Sequence, residues 1–251
     1  MGLPYSQELR SHRELDHHRS EWHAFVGEIV YGGIDGIVTT FAVVAGFAGA
    51  GAGEGIVQVG GIAVVLFGLA NLIGDGVSMG LGKYLATRSE QDIYHREWNN
   101  EKNSIQQLPD RERAETIELM KAQGMSDEDA AHFTELLARY PDARVKWQMD
   151  NELAMPDVRD ENPLIQGLIT LGSFVVFGFI PLIPYIISPD ASGSWIVSIA
   201  VTMGALTILG IVRRYITRMN FMATVFQMVF LGMVAAGCAW IAGRYVSIIR
   251  G

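Results

Sequence analysis

The chain has 251 residues, of which 49% are hydrophobic and 18% charged, and its mean hydropathy is +0.22. Soluble domains carry about 25% charged residues, so the composition argues against a water-soluble globular fold, and the formal net charge of −8 argues against a nucleic-acid partner. The single cysteine, Cys238, permits no intrachain disulfide and no thiolate zinc site, and it reads as packing.

Residues 1–27 open the chain as a polar head that mixes acids with bases, which is not a signal-peptide pattern. Within it, "SHRELDHHRSEWH" holds His12, His17, His18 and His23, four of the six histidines. Such a tract suits either metal binding or an interfacial helix anchored by Trp22. Five apolar runs follow, at about 28–50, 56–83, 163–187, 194–213 and 221–244. Each is near the ~20 residues that cross a ~30 Å hydrocarbon core. The fold expected is therefore all-α: a polytopic membrane protein with five transmembrane helices. Transmembrane helices 1 and 2 lie in 28–83, a helical insert in 84–162, and helices 3 to 5 in 163–251.

Lys and Arg set the expected orientation. Arg10, Arg13 and Arg19 lie in the head, Lys83 and Arg88 at the end of the second run, and Arg213, Arg214 and Arg218 between the fourth and fifth. The loops 49–55 and 188–194 have neither residue type. The head and the insert are thus expected in the cytoplasm and the C-terminus outside, with Arg244 and Arg250 as a mild exception.

The insert carries the whole charge imbalance: residues 84–162 hold 18 acids and 10 bases. The second run has no break signal after Lys83, so its helix is expected to continue to about Gln107, where Pro109 stops it. Asp110 caps the next helix, which Gly124 closes. Ser126 with Asp129 resembles a capping box, and Pro141 opens a last helix to about Ala154.

Two groups of side chains stand out. In the first hairpin, Glu28 and Asp35 lie two turns apart on one helix face, and Asp75 and Met79 lie one turn apart on another. A carboxylate in mid-bilayer costs roughly 2.5–3.5 kcal/mol and seldom faces lipid. A hard carboxylate with a soft thioether suits a borderline ion such as Fe2+ better than Mg2+ or Ca2+. Met79 taken alone reads more readily as packing than as a ligand. Glycines around Asp35 and Met79 allow helices to approach closely and could serve as hinges. In the insert, Glu97 and Glu101, Glu112 and Glu115, and Met149 and Glu152 recur at helical spacing. Three helices could gather them into an oxygen-rich metal site with one soft ligand. Solvated helices show the same spacing, and Arg111, Arg113 and Lys102 are at hand to pair with them. Paired Glu-x-x-His motifs are missing, which disfavours a di-iron oxidase.

The segments "YGGIDGIVTTFAVVAG" (31–46) and "GDGVSMGLGKYLATRSEQD" (74–92) resemble the two signature segments of the vacuolar iron transporter family. The resemblance covers nearly the whole chain. It implies a homodimeric, proton-coupled antiporter that moves Fe2+, and also Mn2+ or related ions such as Co2+, Ni2+ and Zn2+, out of the cytosol. It places the family's transport aspartate on Asp35 and its second-span methionine on Met79. It makes the insert a metal-binding domain, with Glu-x-x-Glu motifs falling on Glu101 and Ser104 and on Glu112 and Glu115, and a Met-Met-x-x-Glu motif on Gln148, Met149 and Glu152. Ser104 and Gln148 depart from that pattern, each replacing a strong ligand.

The function expected is export of Fe2+ in exchange for protons, along Asp35, Met79, Glu28 and Asp75, across a bacterial cytoplasmic membrane. The partners are then divalent cations, protons, the lipid bilayer and a second copy of the chain, with no resident cofactor. The alternatives are a broad-range or Mn2+-selective carrier and a membrane metal sensor that moves no ion. No nucleophile–base pair or phosphate-binding loop appears in the sequence, so an enzyme is not expected.

Overall fold

The structure is a computed structural model that describes residues 25–51, 60–188, 191–217 and 220–250. The histidine-bearing head with Trp22, the loop 52–59 and Arg218 lie outside the described residues. Among the described residues every regular element is helical: α1 (Val26–Gly51), α2 (Gly60–Gln107), α3 (Pro109–Ala122), α4 (Asp127–Leu137), α5 (Pro141–Asn151), α6 (Pro163–Gly178), a 3-10 turn (Ile180–Leu182), α7 (Ile183–Ile187), α8 (Ala191–Thr217) and α9 (Phe221–Arg250). Five helical stretches are long and apolar enough to cross a bilayer: Val26–Gly51, Gly61–Gln107, Pro163–Ile187, Gly193–Arg214 and Met222–Ile249. The chain is an all-helical integral membrane protein.

The described chain divides into two compact units. The first joins the residues up to Tyr84 with those from Leu164 onward, and the second is Leu85–Pro163. In the first unit, Phe41, Val44, Val64, Leu72, Phe174, Leu182 and Tyr185 form one buried apolar cluster, and Ile37, Ala205, Leu206, Leu209 and Met228 another. Phe41 stacks on Trp195 with ring centroids 5.8 Å apart.

The third apolar run is broken where the sequence reading had a single span. Its helix stops at Gly178 and resumes after the 3-10 turn. Pro181 and Pro184 have no N–H to continue the ladder. Buried Ser198 of α8 donates to the Pro181 carbonyl at 2.8 Å, which re-satisfies backbone that the break frees.

Close helix crossings rest on glycine. A Cβ at Gly36 would collide with the Phe174 backbone, one at Gly32 with the Thr170 carbonyl, and one at Gly243 with the Gly46 carbonyl. Gly76 and Gly80 press against Leu171, and Gly80 also against Gly167. These glycines are packed contact points in this structure, whereas Gly74 and Gly82 of α2 meet nothing within 4 Å. Cys238 is exposed on α9, not packed as expected, because α9 buries little of itself within the chain.

In the second unit, α2 runs on to Gln107 as expected, and Ser126 caps α4 by accepting the Asp129 N–H. Gly124 adopts φ +99 after α3, as a closing glycine does. Asp110 is not the cap of α3: Leu108 holds that position and Asp110 lies in the first turn, because Pro109 takes the first helical place. The core is Tyr94, Val145, Met149 and Val158 with Trp98, Ile105, Leu153 and Met155 around it. The Arg159 guanidinium lies over the Trp98 ring at 4.4 Å and the Tyr94 ring at 5.4 Å, while gripping both oxygens of Asp157. Gln91 donates to the Val158 and Glu161 carbonyls, fixing the returning segment to α2.

Candidate functional site

In the first unit, α1 and α2 meet along a polar seam. Lys83 Nζ lies 3.1 Å from Glu28 Oε1. Asp75 is near enough to act electrostatically on half-buried Asp35. Asn71 Nδ2 donates to Thr39 Oγ1 at 3.4 Å, and Thr39 donates to the Asp35 carbonyl at 2.8 Å. Along these pairs α1 numbers rise as α2 numbers fall, so the helices run antiparallel in fixed register. From Glu28 to Thr39 the ladder covers about 16 Å at 1.5 Å per residue, over half of a ~30 Å hydrocarbon core. Past Asn71, a groove of about 660 Å3 continues among Ala42, Gly46, Ala70, Ala242 and Gly243.

The expected face residues are therefore brought together in part. Glu28 and Asp35 share the α1 side, and Asp75 stands across from Asp35. Met79 lies one turn beyond Asp75, half-buried, and its side chain packs on the cluster of Phe41 and Phe174. Asp75 is exposed on the single chain, beside exposed Ile73, Val77 and Leu81.

In the second unit, one carboxylate oxygen from each of Glu101, Glu112 and Glu152 falls within 4.8 Å of the others. Glu101 comes from α2, Glu112 from the first turn of α3, and Glu152 from the C-cap of α5. Leu153 and Met155 donate backbone bonds to Gln148 and Met149, and Ala154 takes φ 51 between them, so the chain doubles back directly after Glu152. Burial, then the charges of Glu152, Glu112, Glu115 and Glu97, push the Glu101 carboxyl up to about 7. Burial and then Glu112 and Glu115 raise Glu152 as well. Glu101 Oε2 and Glu152 Oε2 are buried with no hydrogen-bond partner. Buried, mutually repelling carboxylates with spare oxygens are a poor arrangement for an empty site and a good one for a divalent cation.

Other residues of the expected set are engaged elsewhere. Glu97 accepts from Arg96 and Asn100, and these bonds hold its carboxyl below the usual range. Glu115 pairs with Arg111 at 2.9 Å. Met149 is fully buried in the apolar core. Buried Gln148 donates to Glu112 Oε2 at 2.7 Å.

A model of the VIT family matches residues 26–244. The chain belongs to the VIT family. It is 34% identical over 237 residues to vacuolar iron transporter 1 of Arabidopsis thaliana, covering 92% of this chain and 91% of that protein. Vacuolar iron transporter 2 of Oryza sativa subsp. japonica is 33% identical, with 94% of each covered. The vacuolar iron transporter of Toxoplasma gondii is 29% identical over 97% of this chain and 83% of its own length. These relatives are named as transporters and not as enzymes, in keeping with a VIT-family chain that is not an enzyme.

Sequence reasoning did not foresee three pairings that the structure places at these sites in the VIT-family chain: Lys83 on Glu28, Asn71 on Thr39, and Gln148, which the resemblance had already put in the insert motif, on Glu112. Residue type gave the signal for each, since a Lys, an Asn and a Gln at apolar or core positions need partners. The partner's identity lay 55, 32 and 36 residues away.

Proposed function

We propose that the chain is a homodimeric antiporter that moves Fe2+, and Mn2+ and related divalent ions, out of the cytosol in exchange for protons. The head and the 84–162 insert face the cytoplasm and the C-terminus lies outside, in the cytoplasmic membrane of a bacterium. The transported iron is substrate, and no resident cofactor is needed.

The observation that carries this reading is the polar seam: three carboxylates on the two apolar helices α1 and α2, followed by a largely apolar groove. Acids within spans mark ion pathways and proton relays far more often than lipid-facing surface. The names of the relatives support iron as the cargo. A second copy is supported by exposed Asp75. Facing lipid, that carboxylate would cost roughly 2.5–3.5 kcal/mol; facing another α2, it would be paired with ion, water or proton. In the insert, Glu101, Glu112 and Glu152 collect ions from the cytosol. In the seam, Met79 and Asp35 hold the ion, and a proton taken up by Asp35 from the far side releases it.

The test is uptake of Fe2+ or Mn2+ by proteoliposomes under a pH gradient. Asp35→Ala and Met79→Ala should both reduce flux, and dissipating the gradient should stop it. Equal flux in all three proteins would remove the path assigned here. Ion binding without flux in the wild type would make the chain a membrane metal sensor instead.

A further inference from the structure

The Glu28 end of the seam already contains a cation, supplied by the chain itself. We propose that the Lys83 ammonium is a tethered stand-in for the transported ion: it occupies the Glu28 carboxylate, and a divalent cation must displace it to enter the seam. This rests on the transport reading above. It adds a residue that sets affinity and charge selectivity.

Three features argue for it. The first is the incomplete pairing of Glu28. Lys83 Nζ reaches Oε1 at 3.1 Å, while Oε2 is buried with no hydrogen-bond partner. The Glu28 side chain is only 12% exposed. A bridge whose role was only to hold helices together would satisfy both oxygens of a carboxylate so deep, as Arg does with its fork. Lysine is a compact point charge on a flexible stem, and it leaves half the carboxylate available to an ion. Lys83 is itself about one third exposed, so it has space into which to withdraw.

The second feature is register. Lys83 is one turn from Met79 and two from Asp75 on α2, and Glu28 is two turns from Asp35 on α1. An ion that takes the Glu28 position has Met79 next, about 6 Å along the helix, and the Asp35–Asp75 pair beyond it. Lys83 therefore guards the outermost carboxylate of a series and is no isolated surface bridge.

The third is charge. Glu28, Asp35 and Asp75 carry a formal −3, which the Lys83 ammonium reduces to −2 and a divalent ion in its place reduces to −1. A monovalent ion in its place leaves −2, no better than the tether. Without Lys83 the seam would stand at −3 and would hold a divalent ion too firmly for rapid release. The tethered ammonium thus weakens binding at the mouth and permits turnover.

The experiment uses the full-length protein in proteoliposomes with Mn2+ as the probe. Lys83→Gln should lower the KM for Mn2+ by about tenfold, the low end for a close charge pair, while kcat falls. Lys83→Arg, which keeps the charge, should restore KM toward wild type. In a Glu28→Gln background, Lys83→Gln should leave KM unmoved, because the carboxylate contested by ammonium and ion is gone. A structural bridge alone would lower the amount of folded protein and leave KM unchanged, and that result would overturn the proposal. Mn2+ binding to detergent-solubilised protein is read separately by electron paramagnetic resonance. The background is Glu101→Gln, Glu112→Gln and Glu152→Gln, which removes the insert cluster. Tighter binding on Lys83→Gln supports the displacement whether or not flux is seen, and equal binding overturns it. Absence of flux in wild type fails the transport reading alone.

Discussion

Gln148 Nε2 donates to Glu112 Oε2 at 2.7 Å, and both side chains are buried. Its own Oε1 is buried with no hydrogen-bond partner, and Glu112 shares the carboxylate cluster with Glu101 and Glu152. The amide NH2 thus borders the place where a cation would sit, and half a turn of the amide would offer an oxygen in its place. A site built from Glu101, Glu112, Glu152 and Gln148 is all-oxygen and hard. Gln148→Met should therefore shift the insert toward softer ions. Competition between Mn2+ and Zn2+ for the purified full-length protein should move toward Zn2+ by roughly 1 kcal/mol, the net scale of one ordinary hydrogen bond. An unchanged ratio would show that residue 148 does not reach the ion. Gln148→Leu should weaken binding of every ion if the amide oxygen is a ligand, since it removes that oxygen; tighter binding would show that the amide only competes with the ion for Glu112.

Protons compete with metal at the same cluster. Burial and neighbouring acids push Glu101 up to about 7, above its ordinary 4.5. A carboxyl with a raised folded-state pKa binds its proton more tightly folded than unfolded. The metal-free insert therefore gains stability as pH falls from about 7 toward 4.5, and loses it as pH rises through 7. Metal affinity runs the opposite way and should climb between about pH 6 and 8, with proton release near neutrality. Calorimetric titration of Mn2+ in buffers of different ionisation enthalpy measures that proton. Glu101→Gln should flatten the pH dependence, and a wild-type affinity independent of pH over this range would contradict the assignment.

The local signals of the insert were legible because each acts within a few residues. Pro109 ends α2 at Gln107, Ser126 caps α4, Pro141 opens α5, and Gly124 supplies the left-handed turn. The five long apolar runs were legible because hydrocarbon thickness dictates their length. The break at Gly178 was not, since hydropathy stays high across Pro181 and Pro184 and conceals the lost donors. Spacing placed six acids and sulfurs near one another in the insert. It could not say that Arg96 takes Glu97, Arg111 takes Glu115 and the core takes Met149. Those outcomes depend on which helix face turns inward, and packing between distant segments decides that.

The glycines offer a clean contrast. Gly36→Ala puts a methyl group against the Phe174 backbone, and Gly243→Ala puts one against the Gly46 carbonyl. Backbone cannot step aside as a side chain can, so each should cost about 1–3 kcal/mol or more through overpacking. Gly74→Ala and Gly82→Ala meet open space within the chain. They should leave its fold intact, or strengthen α2 by up to ~1 kcal/mol through helix propensity. Thermal unfolding of the detergent-solubilised proteins reads the difference. A Gly36→Ala protein as stable as wild type would refute the packed crossing.

Arg159 is the clasp of the second unit. Its guanidinium grips both Asp157 oxygens, at 2.8 and 2.7 Å, and lies over the rings of Trp98 and Tyr94. Those contacts hold the Asp157 carboxyl well below the usual range. The planar fork makes this grip and the stacking together, which an ammonium cannot do. Arg159→Ala should loosen residues 153–163, at a cost of roughly 1–2 kcal/mol from the lost stacking and a partly solvated ion pair. Arg159→Lys should recover only part of that. Since Glu152 immediately precedes this segment, its carboxylate should lose its position as well, and Mn2+ affinity should fall with the clasp. Hydrogen exchange should rise in 153–163 and stay unchanged in α8 and α9. Wild-type exchange in Arg159→Ala would mean that Gln91, through the Val158 and Glu161 carbonyls, holds the segment without help.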